Sequence, residues 1–356
     1  MKIGILTYHR SHNYGAMLQA IALRKVLQDM GHDVTFMDYW PQHQKNIYRL
    51  FVWEMFWRGG IRGRLRYLKM FAETLVPKLI RRKNFDRFYR ELIKPYVNSC
   101  KKEYDIIVYG SDQIWRKQDW GYGYNPVYFG KNDFKAQKHI SYAASMGILP
   151  ESEIEKAVIK QYLCNLDHIS VREAELKTFV ESLELSCDQH LDPTLLLTGK
   201  EWTNLMHIQP AKKQRYVLYY HLMGKSFDID QIRLFARNKG LTLKIIYSRA
   251  IKKSSEFEIT TAGPMQFLEL VYGAEFVFTS SFHGLVFSLL FQKQVFASFS
   301  VNAGRAVSLL SQLGIEDRLL PPMTQVPIDI SDIDYNQVSS RMNKLRESSY
   351  NYLRMI

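Results

Sequence analysis

Cysteine is scarce in this sequence. Its 356 residues include only Cys100, Cys164 and Cys187, and no two of them stand at the Cys-x-x-Cys spacing of zinc and redox sites. A disulfide framework and a structural zinc site are therefore excluded as the basis of the fold. So few cysteines in a chain of this length fit a reducing compartment, and we expect a cytoplasmic protein.

Long apolar runs are also missing. No stretch approaches the roughly 18–20 apolar residues of a membrane span, and the apolar run near residue 5 is too short for a signal peptide. Glycine (19) and proline (11) are at ordinary levels, which excludes a low-complexity chain. The 46% of apolar residues can fill more than one core, and the length predicts two domains.

The common phosphate-binding and catalytic motifs are absent. The sequence contains no Gly-x-Gly-x-x-Gly fingerprint, no Walker A loop, no Gly-x-Ser-x-Gly elbow and no His-Glu-x-x-His pair. No cluster of metal ligands is visible either. We therefore expect neither a metal nor a cofactor.

Positive charge is abundant, but it is concentrated in one segment. Residues 41–102 contain sixteen Lys and Arg against four acidic residues, which accounts for nearly all of the net charge of +13. Large apolar residues such as Phe51, Trp53 and Trp57 are interleaved with these cations. Such a pattern is typical of basic amphipathic helices on anionic membranes. The alternative is a solvated helical insert whose aromatic residues dock on the parent domain.

Two kinds of partner follow from this charge distribution. No motif for binding DNA or RNA accompanies it, so nucleic acid is not expected as a partner. We expect residues 45–94 to bring the protein to an anionic membrane surface, the inner face of the membrane. The same segment could instead bind the diphosphate of a lipid-linked substrate without touching lipid.

Short apolar segments alternate with segments of helical periodicity along the chain. Ala16, Ala20, Leu23 and Leu27 recur on one face between predicted strands at 2–8 and 33–39. The pattern restarts after residue 205, with a strand at 215–221. Alternating strands and helices predict an α/β fold with parallel sheets, here two Rossmann-like domains facing each other across a cleft. We expect domains at 1–205 and 206–330, a basic helical insert at about 41–102 in the first, and a helix at 331–356 that packs back.

Polar residues follow several predicted strands, where open α/β sheets place their ligands. The loop Ser280-Ser281-Phe282-His283-Gly284 precedes a predicted helix, and a helix N-terminus favours anions. His283 is a natural proton donor or anion contact, and Gly284 would allow close approach of the backbone. The alternative is an ordinary capped helix with a packed histidine.

Further candidates lie on other loops at the same edge. Asn13, Tyr14 and Gly15 follow the first strand, and Ser111 and Asp112 follow the strand at 104–109. An aspartate there can be a base or a sugar-hydroxyl acceptor, or simply a helix cap. Arg172 and Arg305, on later loops, are candidate anion partners. The alternative for each of these two arginines is an ordinary salt bridge within the protein.

Several of these segments also carry a resemblance to a known family. In chain order they are NYGAMLQA (13–20), YGSDQIW (109–115), SYAASMG (141–147), SVRE (170–173), LDPTLLL (191–197), SSFHGLVFSLLF (280–291) and SVNAGRAVSLLSQLGIEDRL (300–319). Together they resemble the polysaccharide pyruvyl transferase family, over roughly residues 3–320. The basic insert is the least typical part.

The resemblance implies a fold, a reaction and a set of roles. The family's fold is similar to that of GT-B glycosyltransferases, and its characterised members transfer pyruvate from phosphoenolpyruvate to two hydroxyls of a sugar, forming a cyclic ketal. His283 would contact the donor phosphate or act as the acid, and Asp112 would be the base. The second domain would bind the donor. The acceptor would be a polysaccharide or its lipid-linked precursor, for example on a polyprenyl diphosphate.

One position departs from the family pattern. Many relatives carry Arg where this chain has Ser281, so Arg172 or Arg305 would have to supply the missing positive charge. The rival enzyme is a GT-B glycosyltransferase that uses a nucleotide sugar, and the third class is a non-catalytic binding protein. Stabilisation by phosphoenolpyruvate or by a nucleoside diphosphate would distinguish the first two, and stabilisation by neither would favour the third.

Overall fold

A computed structural model describes residues 1–58, 60–100, 102–118, 123–209, 215–222, 224–252, 255, 257–327 and 331–355, with residue 43 described in its backbone only. Residues 210–214, just after the predicted domain boundary at residue 205, lie outside the described residues. No helix in the described ranges is long and apolar enough to span a bilayer.

The first half of the chain alternates strands and helices around one parallel sheet. Its elements are β1 (Lys2–Leu6), α1 (Tyr14–Asp29), β2 (Asp33–Met37), α2 (Gln42–Ile47), α3 (Trp53–Arg58), α4 (Ile61–Leu92), β3 (Val97–Asn98), β4 (Tyr104–Tyr109), β5 (Ala136–Ser141), α5 (Glu153–Leu163), β6 (Ser170–Val171), α6 (Ala174–Ser182), β7 (Asp188–Gln189), α7 (Pro193–Leu196) and α8 (Gly199–Leu205). The sheet order is β3-β2-β1-β4-β5, and β6 and β7 form a separate pair.

The second half repeats this architecture. Its elements are β8 (Tyr216–His221), α9 (Ile229–Asn238), β9 (Thr242–Tyr247), β10 (Glu258–Ile259), α10 (Pro264–Gly273), β11 (Phe276–Thr279), α11 (Phe282–Leu290), β12 (Gln294–Ala297), α12 (Gly304–Leu313) and α13 (Tyr335–Arg354). The sheet order, β10-β9-β8-β11-β12, is the same as in the first half.

All pairings within the two five-stranded sheets are parallel. Ile3 of β1 lies opposite Val34 of β2 and Ile106 of β4, and Phe276 of β11 lies opposite Val217 of β8. Parallel strands are covered by helices on both faces, which explains why β1, β4 and β8 read as nearly continuous apolar runs. The strand order reverses between β1 and β4 and between β8 and β11, and such switch points open a crevice at the carboxyl ends of the strands. The predicted α/β class, with two Rossmann-like parallel sheets and a cleft lined by both halves, is confirmed.

The two halves share buried contacts beside this crevice. One hydrophobic cluster contains residues of β1 and α1 together with residues of α10 and α11. Tyr14, the first residue of α1, stacks on Phe267 of α10 with ring centroids 4.7 Å apart. Its hydroxyl donates to the carbonyl of Ala262 over 2.9 Å. Since aromatic stacking adds to the burial of apolar area, this contact helps to set how the halves meet.

The last helix lies against the first half. In α13 the hydroxyl of Tyr352 donates to the carbonyl of Ser141 (2.9 Å), and the hydroxyl of Ser349 accepts from the amide of Leu191 (3.1 Å). Tyr350 donates to the carbonyl of Leu196. The end of the chain therefore returns to the sheet in which it began.

Candidate active site

A cleft of about 240 Å³ lies at the carboxyl ends of the central strands, and both halves line it. Loops after β1 and β4 form one wall, and the loop and helix after β11 form the other. The predicted site residues that line it are Asn13, Asp112, Ser280, Ser281, His283 and Arg305. Polar residues that are far apart in the sequence therefore meet where the switch points of the two sheets face each other.

The N-terminus of α11 forms the floor of this cleft. Ser281 is its N-cap, and the Ser281 hydroxyl accepts from the amide of Gly284 at 3.4 Å. The Ser280 hydroxyl accepts from the amide of Leu222 at 2.9 Å, which ties the loop to the end of β8. The positive end of the helix dipole is thus held at the cleft, where it favours a bound anion.

Two arginines stack on the first aromatic residue of α11. The guanidinium carbons of Arg172 and Arg305 lie 5.1 and 5.3 Å from the ring centroid of Phe282. Nε and Nη2 of Arg172 and Nε of Arg305 are buried and have no hydrogen-bond partner within the protein. Because a buried donor without a partner is costly, these nitrogens are prepared for an acceptor that the protein itself does not supply.

The positive charge of Arg305 is poorly compensated. Burial, and then the neighbouring Arg172, lower the pKa of Arg305 to about 10. Its nearest carboxylate is that of Glu173, whose Oε1 is 4.0 Å from Nε. An anion bound beside these guanidiniums would relieve their mutual repulsion, so the electrostatics favour a ligand with more than one negative charge.

Asp192 is the buried counter-ion of the site. Its side chain is fully buried and forms an ion pair with Nη1 of Arg172. Burial alone would raise the pKa of Asp192, but Arg172 and then His283 outweigh it and hold that pKa below its usual range. The other oxygen, Oδ1, accepts from the amide (2.9 Å) and the hydroxyl (2.6 Å) of Thr194, so the carboxylate is oriented from both sides.

Glu173 is a second buried carboxylate next to the arginines. Its Oε1 lies 3.9 Å from Nε of Arg172 and accepts a hydrogen bond from the hydroxyl of Ser145. Burial raises the pKa of Glu173 against the opposing effect of Arg172 and Arg305. Oε2 is buried without a partner. Burial thus favours the protonated form of Glu173, whereas the two arginines favour its ionised form.

His283 is held between Asp192 and α1. Its Nε2 lies 3.5 Å from Oδ2 of Asp192, so a proton on that nitrogen faces a negative charge. Gly15 packs directly on the other side of the imidazole, and a Cβ at residue 15 would overlap the ring. The predicted residue Gly15 therefore positions His283 and does not itself line the cleft.

Asp112 and Asn13 lie on the wall formed by the first half. Oδ1 of Asp112 accepts from the amide of Gln113 at 2.8 Å, and its backbone has a φ of 72°. Asn13 is the N-cap of α1, with Oδ1 accepting from the amide of Ala16. Both thus have a local role, and both also line the cleft.

Five of the residues predicted to bind substrate are not among those that line the cleft, namely Gly15, Arg172, Tyr14, Ser111 and Gly284. Tyr14 is buried between the halves, as described above. Ser111 is fully buried, and its hydroxyl donates to the carbonyl of Ala143 at 2.9 Å. A Cβ at Gly284 would overlap Thr279, so this glycine serves the close approach of α11 to β11 and not the approach of a ligand. Tyr14, Ser111 and Gly284 thus lie behind the lining of the cleft, and their part in binding stays a prediction.

Sequence reasoning missed Asp192 and Phe282 as members of the site. Asp192 precedes Pro193 at the start of α7, a pattern that a helix cap explains by itself. Phe282 reads as an ordinary core residue of α11. Their parts in the site depend on Arg172 and Arg305, which only the tertiary fold brings near them. Within the described residues no group of His, Cys, Asp or Glu is arranged to hold a metal ion.

Two solved structures that match most of this chain have low sequence identity to it. The UDP-GlcNAc 2-epimerase of Methanocaldococcus jannaschii, solved with UDP-GlcNAc and UDP, is 10% identical with a TM-score of 0.44, and the match covers 97% of this chain and 93% of that one. The Escherichia coli heptosyltransferase WaaC with ADP is 12% identical with a TM-score of 0.42 over 97% of this chain and 100% of that one. No curated protein matches at a significant level.

A family model gives the clearest relationship. The model described as "Polysaccharide pyruvyl transferase" matches residues 13–301, which include the whole cleft except Arg305 and Asn302. This range covers most of the chain and confirms the resemblance carried by the sequence segments. The chain belongs to the polysaccharide pyruvyl transferase family.

Proposed function

We propose that this protein transfers pyruvate from phosphoenolpyruvate to two hydroxyls of a sugar, in a polysaccharide or its lipid-linked precursor, and so forms a pyruvate ketal. The observation that carries the proposal is the set of buried nitrogens of Arg172 and Arg305 that have no hydrogen-bond partner, close to the N-terminus of α11. Family membership supports a transferase that acts on polysaccharide.

The donor fits this set by charge and by size. Phosphoenolpyruvate carries a phosphate and a carboxylate, and arginine is suited to both because its planar fork can donate two parallel hydrogen bonds. The cleft of about 240 Å³ is smaller than the roughly 300–1,000 Å³ typical of pockets for drug-sized ligands. A three-carbon phosphate suits it better than a nucleotide sugar. Arg172 and Arg305 would supply the positive charge that Ser281 lacks.

The reaction balances with one acid and one base. The first sugar hydroxyl adds its oxygen to C2 of phosphoenolpyruvate, while the methylene carbon C3 takes a proton and becomes a methyl group. The bond between C2 and the phosphate oxygen breaks, and the second hydroxyl oxygen forms the second C–O bond at C2. Of the two hydroxyl protons, one is balanced by the proton on the methyl group and the other leaves with inorganic phosphate.

The chain's residues take complementary parts in this scheme. His283 is the acid that protonates C3, with the ionised Asp192 facing its Nε2. Asp112 is the base that accepts a hydroxyl proton from the acceptor on the opposite wall of the cleft. The donor lies on the second half and the glycan acceptor on the first. The free thiols of Cys100, Cys164 and Cys187 fit a cytoplasmic place for this reaction.

Release of inorganic phosphate from phosphoenolpyruvate tests the proposal. We expect release that depends on an added galactoside or other hexoside, and stabilisation of the protein by phosphoenolpyruvate in a thermal shift assay. Stabilisation by UDP or GDP alone, with nucleotide sugars consumed in place of phosphoenolpyruvate, would establish the glycosyltransferase alternative.

A variant of His283 tests the assigned acid. His283→Ala is expected to lower turnover by about 10²-fold or more, the usual contribution of a positioned acid. The matched control is His168→Ala, which removes an exposed imidazole from the same chain. Wild-type turnover in a folded His283→Ala protein would return His283 to a packing role.

The anionic membrane expected for residues 45–94 is a separate partner. The observations that favour this partner come from the helices of the insert and not from the cleft.

A further inference from the structure

Exposed apolar side chains are concentrated on the insert. Residues 47–80 carry eleven of the twenty-one exposed large hydrophobic side chains found among the described residues. They include Trp53 and Trp57, each 56% exposed, and Ile61, which is 77% exposed. Such a concentration of exposed apolar side chains in one segment indicates an interaction site and not an ordinary solvent face.

Helix α4 has two apolar faces, of which only one is packed. Tyr67, Thr74, Arg81, Phe85 and Phe88 are buried against the protein. On the opposite face, exposed apolar residues recur at helical spacings of three, four and eight positions and form a stripe along the helix. The members of this stripe are Ile61, Leu65, Leu68, Val76 and Leu79.

Cations border the stripe on both sides. At 100° per residue, Arg62, Arg66 and Lys69 fall on one flank, and Arg64 and Arg82 fall on the other. The three residues on the first flank are exposed. The guanidinium of Arg64 lies 4.3 Å from the ring centroid of Trp57, so basic and aromatic groups share one surface. A basic rim around an apolar stripe is the arrangement of helices that lie in a membrane interface.

Helix α3 extends the same surface. An aromatic cluster holds it against α4, with the ring of Phe51 5.0 Å from that of Tyr67 and 5.1 Å from that of Phe71. No residue of α3 is buried. Trp53 and Trp57 are consequently presented outward, and tryptophan prefers the headgroup region of a bilayer.

The other half of α4 fixes this surface to the body of the protein. Arg81 donates to the hydroxyl of Tyr14 (2.6 Å) and to the carbonyls of Ser248 (2.7 Å) and Ala262 (3.1 Å). These partners come from both halves of the chain. One helix therefore joins the exposed stripe to the contact between the two halves.

We propose that α3 and the first half of α4 dock on a phospholipid bilayer that carries anionic headgroups. The charge balance selects this occupant over a second copy of the chain. Residues 49–83 contain ten Lys and Arg but only Glu54 and Glu73 as acids. Glu54 lies 3.8 Å from Arg49, and Glu73 lies 2.9 Å from Lys252. Two copies facing each other here would oppose like charges, whereas an anionic surface neutralises them.

Vesicle binding tests the proposal with the whole chain. We expect the protein to sediment with vesicles of phosphatidylcholine and phosphatidylglycerol at low salt, to be released by high salt, and to bind poorly to phosphatidylcholine alone. Binding should also shift the tryptophan emission to shorter wavelength, because Trp53 and Trp57 would leave water. Both signals are independent of turnover, so they do not depend on the proposed reaction.

Glutamine variants separate the charged and apolar contributions while keeping the helix. Arg62→Gln combined with Arg66→Gln and Lys69→Gln is expected to weaken binding on the order of 10²-fold, since each cation near an anionic surface contributes about 1 kcal/mol. Ile61→Gln with Leu65→Gln should weaken binding and abolish the emission shift. The matched control is Leu234→Gln with Arg237→Gln, which changes exposed residues on α9 in the second half and should leave binding intact.

Three outcomes would overturn the proposal. They are absence of vesicle binding at low salt, equal binding to vesicles with and without phosphatidylglycerol, and an equal loss of binding in the α9 control. Sedimentation velocity tests whether a second copy of the chain occupies this surface instead. A dimer that the same α4 substitutions dissociate, in a protein that ignores vesicles, would assign the surface to self-association.

Discussion

The arginines of the cleft and the arginines of α4 have the same chemistry in opposite settings. Arg172 and Arg305 are enclosed, stack on Phe282 and face the carboxylates of Asp192 and Glu173. Those on the flanks of the exposed stripe of α4 stand beside apolar residues with few acids near them. In the cleft each charge is oriented and desolvated, so it can recognise a particular small anion. On α4 the charges are many and hydrated, so they suit an extended surface.

The two settings differ in how much the removal of one charge changes the free energy of unfolding. Removing one partner of a buried ion pair leaves a charge without compensation, and this costs far more than the pair itself contributes. An exposed charge interacts through water and salt, and its loss changes stability little. Substitutions in the cleft should therefore affect folding and catalysis together, whereas substitutions of exposed residues on α4 should affect association and change stability by about 1 kcal/mol or less.

The largest effect is expected at Asp192. Asp192→Asn keeps the shape but removes the charge that pairs with Arg172, so we expect the free energy of unfolding to fall by about 3–5 kcal/mol. Urea denaturation measures it. The control is Asp188→Asn, an exposed carboxylate nearby, which should change stability by about 0.5 kcal/mol or less. A loss as small as that of the control would mean that Asp192 does not act as a buried counter-ion.

The next largest effect is expected at the buried imidazole of His9. Burial lowers the pKa of His9 to about 4, and the carbonyl of Thr7 only partly opposes this. Between about pH 6.5 and pH 4 the unfolded chain binds a proton here that the folded chain does not. His9 therefore costs no stability above pH 6.5 and progressively destabilises the fold as the pH falls to 4, by at most about 3 kcal/mol.

The variant His9→Asn makes this measurable. Asn retains a donor for the carbonyl of Thr7 but cannot be protonated in this range, so the slope of unfolding free energy against pH should flatten between pH 4 and 6.5. His168→Asn, at an exposed position, should leave the slope as it is. An unchanged slope in His9→Asn would show that His9 is not the buried neutral group.

Alanine substitutions at two glycines, one beside the cleft and one on α4, allow the two regions to be compared directly. Gly15→Ala would push a methyl group into the imidazole of His283, whereas a Cβ at Gly63 of α4 meets no atom within 4 Å. We expect Gly15→Ala to lower kcat by about 10²-fold, because a displacement on the order of 1 Å is enough for this. Gly63→Ala should leave kcat unchanged and stabilise the helix by about 1 kcal/mol. Equal kcat values in the two variants would remove Gly15 from the support of His283.

The sequence was informative for the sheets and less so for the site. Parallel strands buried on both faces leave continuous apolar runs, so β4 (Tyr104–Tyr109) could be located to the residue. Residues such as Ser111 and Asp112 are adjacent and equally polar, yet one hydroxyl is used within the sheet and the other side chain lines the cleft. Whether a polar residue at a strand end binds a ligand depends on partners from distant segments, which no local pattern reveals. Asp192 was missed for the same reason.

The smallest effect is expected where the charge density is highest. Arg62 and Arg66 are four residues apart on α4, and Lys69 follows three residues later. Like charges at these spacings destabilise a helix by roughly 0.2–0.5 kcal/mol per pair. Replacing all three with Gln, which has a similar helix propensity, should therefore raise the free energy of unfolding by a few tenths of a kcal/mol at low salt and leave it unchanged at high salt. Urea denaturation at two salt concentrations measures the difference, and kcat should not change. A loss of more than about 1 kcal/mol would show that these cations support the fold, and the contrast with the arginines of the cleft would then fail.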